Sequence, residues 1–232
     1  MRKILAIGAT VALMFANVAV AETRPVVVEL YTSQGCSSCP PADAFMHKLA
    51  TRNDVIALAL HVDYWDYIGW KDVFGSHANT ERQHAYARTA GRRSVYTPQM
   101  IIGGEEDVVG NHPMDVADLV KKHAARAPEV DLAIARSGGK LTIKATAKRA
   151  SSKPMVVQLV RYMPKQTVKV TRGENAGKTL SYSNIVTEWK AVGKWDGRAP
   201  LNSTAKISGN QPVVVIIQGA GNGPIMAAAR LR

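Results

Sequence analysis

Sulfur is scarce in this sequence. Of 232 residues only two are cysteines, Cys36 and Cys39. That excludes a multi-disulfide scaffold and a four-thiolate zinc site. Beyond the first 21 residues, no run is long and apolar enough to cross a bilayer as a helix. Lysine and arginine number 30 against 18 acids, a net charge of +12, yet they are scattered, with no dense basic run and no RNA-binding motif. Nucleic acid is therefore not an expected partner. The excess describes a basic soluble surface that attracts acidic proteins or anionic lipid. The glycine cluster Gly219-Ala220-Gly221-Asn222-Gly223 lacks the strand-to-helix context of a dinucleotide site and reads instead as a hairpin turn into a last strand, Ile225 to Leu231.

What is present begins with an export pattern. Arg2 and Lys3 form a charged start, Ile4 to Val18 an apolar stretch, and Ala19-Val20-Ala21 a small-x-small cleavage site. Cleavage after Ala21 is expected, with no stable membrane insertion afterwards and a periplasmic or secreted location. Disulfides persist outside the cytoplasm.

The cysteines stand in Val26 to Leu49, the stretch around which the chain is organised. An apolar, β-branched run from Val26 precedes them, and a helix-like segment with Phe45, Met46 and Leu49 follows. A C-x-x-C where a strand hands over to a helix points to thiol chemistry. Only the thiolate attacks a disulfide, and backbone N–H groups at a helix N-terminus stabilise that anion. Cys36, on the loop side, is expected to be the more exposed attacker, and Cys39 the resolver. Pro40-Pro41 suits the first helical turn, which places Cys39 at the N-cap. The pair then needs no cofactor beyond its own redox-active disulfide. Its partners would be client protein thiols or disulfides and a redox recycling partner. Two alternatives stand beside this one. The pair is a static bridge, or it holds a soft metal such as Cu(I), with His61 or Met100 completing the shell.

Around the cysteines, Glu29 interrupts the first strand; buried behind the pair, it would take a proton from Cys39 during resolution. The second strand ends in His61-Val62, and the loop beyond carries Asp63, Tyr64, Trp65 and Trp70, candidates to wall the site because loops past the carboxyl ends of strands build sites in such sheets. Asp63 is a second candidate for moving protons. Asn79 to Ala90 reads as a polar surface helix. Thr97-Pro98 then enters a strand, and a cis bond there would present the Thr97 backbone to an extended client. Gly103-Gly104 turns the chain into Asp107 to Gly110, and Met114 to Ala125 closes the unit as a helix.

Pro128 marks an expected boundary, giving residues 22–127 as a first domain and 128–232 as a second. Beyond it, short alternating runs separated by Gly and Pro turns predict a smaller antiparallel β-sandwich-like domain. Arg172, Glu174 and Asn175 form a polar turn that reads as an ordinary loop or as a surface facing the first domain.

The order strand, C-x-x-C, helix, strand, helix, Thr-Pro strand, Gly-Gly hairpin, helix resembles the α/β thioredoxin-like fold. More narrowly, E-L-Y-T-S-Q-G-C-S-S-C-P-P-A-D, H-V-D-Y-W-D-Y-I-G-W-K-D, T-E-R-Q-H-A-Y, V-Y-T-P-Q-M and R-G-E-N-A-G-K resemble DUF1223, a family of secreted proteins with a thioredoxin-like domain and no characterised function. The resemblance covers nearly the whole mature chain. It implies that Cys36 and Cys39 match a redox pair, Pro98 a cis-proline and Glu29 a buried acid. Ser37-Ser38 in place of Gly-Pro, two prolines after Cys39 and a long insertion before Thr97 depart from ordinary thioredoxins, and the direction of any redox reaction stays open.

Overall fold

The computed structural model describes residues 24–151 and 153–232; the expected export signal and its cleavage site lie outside them. The fold is mixed α/β, with one large sheet and a second, antiparallel one. The large sheet has eight strands, and the small sheet has three.

The strand that leads to the cysteines is β1 (Val26–Thr32), with all seven residues buried. It pairs parallel with β2 (Val55–His61) and antiparallel with β3 (Gln99–Ile102). Successive side chains of a strand point to opposite faces. Val26, Val28 and Leu30 therefore pack with Ala42, Met46 and Leu49 of α1 (Pro40–Thr51) and with Val116 and Val120 of α3 (Pro113–Ala124). Val27 and Tyr31 face the other way, onto Tyr86 of α2 (His77–Thr89). This alternation decides which polar residues lie near the cysteines.

The first half matches the expected order, and β4 (Glu106–Val109) completes the Gly-Gly hairpin. The α2 helix starts two residues earlier than the sequence suggests, with Ser76 at its N-cap.

In the second half, β5 (Val130–Ser137), β6 (Lys140–Ala147) and β9 (Leu201–Lys206) form the small sheet. It packs through Ile134, Leu141 and Ile143 against Val157, Leu159, Val215 and Ile217 of the large one. In place of short runs stands one long strand, β7 (Met155–Lys169), which pairs with the still longer β8 (Thr179–Trp195). With β10 (Val213–Gly219) and β11 (Ile225–Leu231), these strands extend the first-half sheet, and the small sheet packs on this extension. The junction is narrow: β8 meets β2 in parallel at Ala59 and Ile185, and the Asn184 side-chain amide donates to the Ala57 carbonyl at 2.8 Å. Beneath it lies one apolar cluster that joins Ile56, Leu58 and Leu60 to Val160, Tyr162, Val214 and Ile216. The strands before and after residue 127 thus share a sheet and a core.

Candidate functional site

Cys36 and Cys39 form a disulfide, S–S 2.10 Å, in the loop between β1 and α1. The Cys36 N–H donates to Ser33 O at 3.1 Å, and the Cys39 carbonyl accepts from Ala42 N at 2.9 Å and Asp43 N at 3.1 Å. Cys39 has helical dihedrals, φ −78° and ψ −34°, at the N-cap, with proline in the first turn as the sequence suggests. Cys36, however, is not the exposed member of an open pair: it is 2% exposed and Cys39 fully buried, while Ser37 and Ser38 between them face solvent.

The loop is held from two sides. The Asn175 side-chain amide, itself fully buried, donates to both Gln34 O and Cys36 O at 2.9 Å, and Lys178 Nζ donates to Asn175 Oδ1 at 2.9 Å. The polar turn between β7 and β8 is therefore the clamp on the cysteine loop. On the other side, Gly35 lies so close to Trp65 and Ile68 that a Cβ there would come within 3.2 Å of the Trp65 Cβ. Trp70 Nε1 donates to Gln34 Oε1 at 2.8 Å.

The aromatic loop and the Thr97 segment do meet the cysteine loop. Ser38 Oγ lies 3.4 Å from Cys36 Sγ and donates to Thr97 O at 3.4 Å. The Thr97–Pro98 peptide is cis. Trp65 Nε1 donates to Thr97 Oγ1 at 2.8 Å, and Tyr67, 80% exposed, stacks on Trp65 with centroids 6.4 Å apart. Tyr64 donates to Gln83 Oε1 at 3.2 Å, and burial raises its hydroxyl to about 12.

Two expected proton carriers lie elsewhere. Glu29 is fully buried but points to the α2 face, because it belongs to the Val27–Tyr31 alternation and not to that of Val28 and Leu30. There Arg82 grips it with Nε–Oε2 at 2.7 Å and Nη2–Oε1 at 2.8 Å, and the Tyr86 and Tyr31 hydroxyls donate to it at 2.7 and 3.0 Å. Arg82 also stacks on Trp189, 3.8 Å from the ring centroid. Asp63 is engaged at the start of α2, accepting from Thr80 Oγ1 at 2.5 Å with His77 Nδ1 at 3.2 Å. Burial would raise its carboxyl, but these hydrogen bonds outweigh that and hold it below the usual range.

The buried acid on the cysteine side is Asp43. It sits on α1, one turn after Cys39, and accepts from Thr32 Oγ1 at 2.8 Å. Burial raises its carboxyl to about 7, against the opposing pull of His61 and Thr32. His61 Nδ1 lies 2.7 Å from Asp72 Oδ2, and Asp72 also accepts from Gln34 N at 2.7 Å and Phe74 N at 2.8 Å. Tyr182 of β8 stands edge-on to His61, centroids 4.7 Å apart. Sequence reasoning missed Asp43, Asp72 and Tyr182. The signal for Asp43 was its place four residues after Cys39, which puts both on one face of a helix.

His61, expected as a possible metal ligand, meets Asp72 through Nδ1 and leaves Nε2 without a partner, and Met100 lies in the aliphatic cluster under α1. Among the described residues, no three His, Cys, Asp or Glu side chains are grouped to hold a metal ion.

The family model described as "Protein of unknown function (DUF1223)" matches residues 27–218. A crystal structure of a protein from Agrobacterium tumefaciens is 34% identical, covering 90% of this chain and 95% of that one, with a TM-score of 0.77. HBP35 of Porphyromonas gingivalis shares the fold at 17% identity, covering 90% of this chain and 75% of its own, with a TM-score of 0.62. No curated protein matches the chain.

Proposed function

The chain belongs to the DUF1223 family, and from that premise we propose that it is an exported thiol–disulfide oxidoreductase built on a thioredoxin-like fold. Residues 22–127 form the redox unit, and residues 128–232 brace it. The observation that carries this reading is the Cys36–Cys39 disulfide at the first turn of α1, bordered by the Ser38–Thr97 contact. A client laid along Thr97 reaches Cys36 past Ser38. The Cys36 thiolate attacks a client disulfide and displaces one client thiolate. Cys39 then attacks Cys36 Sγ, releases the second and closes the internal bridge. A partner dithiol restores the reduced pair. Thr97, Pro98, Tyr64, Trp65 and Trp70 shape the client side, and the site uses no other cofactor. Reduction of insulin and oxidation of a reduced client by the purified protein test the proposal. Turnover that Cys36→Ser abolishes supports it, and equal rates for wild type and Cys36→Ser end it.

One observation favours a second reading. Both sulfurs are buried and the Cys36 carbonyl is clamped by Asn175, as suits a static bridge in a partner-binding protein. A bridge that stays oxidised in excess reduced glutathione, with no client trapped by Cys39→Ser, selects this reading over the first.

A further inference from the structure

The pairing of β7 with β8 shifts register beside Arg161 and Tyr162. Arg161 lies opposite Glu188 and Tyr162 opposite Val186, so Thr187 is an extra residue on β8. A bulge of this kind re-aims the side chains around it. Along a regular strand, residues three apart point to opposite faces. Here Val186 and Trp189 both join the apolar cluster on the α2 side. Between this part of β8 and α2 the surface opens into a cleft of about 470 Å³. Small-molecule sites typically measure about 300–1,000 Å³. Phe74, Met163, Ile185 and Val186 give the cleft apolar walls, and Arg82, Trp189 and Asn222 line it as well.

The donors in this cleft are under-used. A guanidinium carries five N–H groups. In Arg82, Nε donates to Glu29, and Nη2 reaches Glu29, the Tyr86 hydroxyl and Gln218 Oε1. Nη1, with two hydrogens, has a single contact, Asn222 Oδ1 at 3.5 Å. The Asn222 amide returns an equally long one, Nδ2 to Arg82 O at 3.5 Å. Strong N–H···O bonds are about 2.9–3.0 Å long, so both groups keep most of their donor capacity. Their positions are nonetheless fixed. Glu29 and the Trp189 ring grip the guanidinium, and the Trp189 indole in turn donates to Gln158 Oε1. Donors held in place by other contacts lose little freedom when a ligand arrives. Charge decides which acceptor suits them. The positive charge of Arg82 is already matched by buried Glu29, and Glu188, paired with Lys190 at the surface, lines the same cleft. A carboxylate would add a further acid around one guanidinium. A neutral carbonyl accepts the same hydrogen bonds without that repulsion.

We propose that the cleft between α2 and β8 binds a small neutral molecule with an apolar body and an amide head. The body lies against Phe74, Met163, Ile185 and Val186. The head's carbonyl oxygen accepts from Arg82 Nη1 and Asn222 Nδ2, and its N–H groups donate to the Glu188 carboxylate. Neither cysteine takes part, so this site stands or falls independently of the thiol–disulfide reading.

The test compares three molecules with one tail and different heads: hexanamide, hexanoate and hexylammonium. Each is titrated into the mature protein while NMR follows the indole N–H signals of the tryptophans. Hexanamide should shift the Trp189 signal saturably and leave those of Trp65 and Trp70, on the cysteine side, in place. Hexanoate and hexylammonium should bind more weakly. Asn222→Gly removes the amide while suiting the backbone, whose φ there is 57°; it should weaken hexanamide about fivefold, the worth of one hydrogen bond. Ala78→Trp, at an exposed position of α2 that lines the cleft, should fill the space and abolish the shift. The proposal is overturned if hexanamide gives no saturable shift at Trp189. It is overturned equally if either charged molecule binds as tightly as hexanamide, or if Asn222→Gly and Ala78→Trp, both folded, bind hexanamide like the wild type.

Discussion

The Asn175 side-chain amide donates to the Cys36 carbonyl at 2.9 Å across 139 residues of sequence. With the second bond to Gln34 O, it makes the β7–β8 turn part of the cysteine loop. Replacing Asn175 by alanine leaves two loop carbonyls without these donors, a loss of about 2 kcal/mol at about 1 per bond. The melting temperature should fall by about 4–8 °C, read by calorimetry. The disulfide should also be reduced faster by dithiothreitol, because the loop is freer to expose Cys36 Sγ. Unchanged reduction kinetics would show that Asn175 does not govern access.

Glu29 and Arg82 form a buried pair whose side chains are 0% and 10% exposed. Glu29→Ala leaves Arg82 uncompensated and should cost about 3–5 kcal/mol in urea unfolding. Disulfide exchange by the folded fraction should stay at the wild-type rate, because Glu29 points to the face opposite α1. A pH profile altered by this substitution would restore it as a proton carrier.

Asp43 has its carboxyl raised to about 7 by burial, from an ordinary value of 3.8. The folded state then binds more protons than the unfolded one between these values. This group's contribution therefore makes stability fall as pH rises from about 4 to about 7, and its cost is fully present above 7. Asp43→Asn removes the titration. The difference in stability between variant and wild type should thus move in the variant's favour from pH 5 to pH 8 in paired urea unfolding curves. A constant difference would mean that the carboxyl titrates normally.

Tyr67 projects into solvent while stacked on Trp65, which in turn holds Thr97. Tyr67→Ala should change stability by under about 0.5 kcal/mol, as surface substitutions do. Its effect should fall on client binding, as a several-fold higher KM for a disulfide-bonded peptide with kcat unchanged. An unchanged KM would remove Tyr67 from the client surface.

Much of the first half was legible in the sequence for simple reasons. The apolar run of β1, interrupted only by Glu29, points to burial on both faces, and Pro40-Pro41 fits the start of a helix. The side chains around the bridge were harder to read. Glu29 and Asp43 are both acids near the cysteines, and only the alternation of β1 against the helix that packs on it assigns them to opposite faces. The continuity of the sheet was less visible still. It passes from β2 to β8 through one residue pair and one asparagine side chain, and neither leaves a periodicity in the chain. Asn175 looked like a loop residue because its partners are backbone carbonyls, which no side-chain pattern advertises.

The distance along the chain between the bridge and its clamp has a consequence for biosynthesis. A ribosome finishes Cys36 and Cys39 well over a hundred residues before it reaches Asn175. Throughout that interval the nascent loop has no clasp, and both thiols are open to whatever oxidant or escort meets the growing polypeptide. That order of synthesis leaves room for the bond between them to form before the β7–β8 hairpin is made and can close over it.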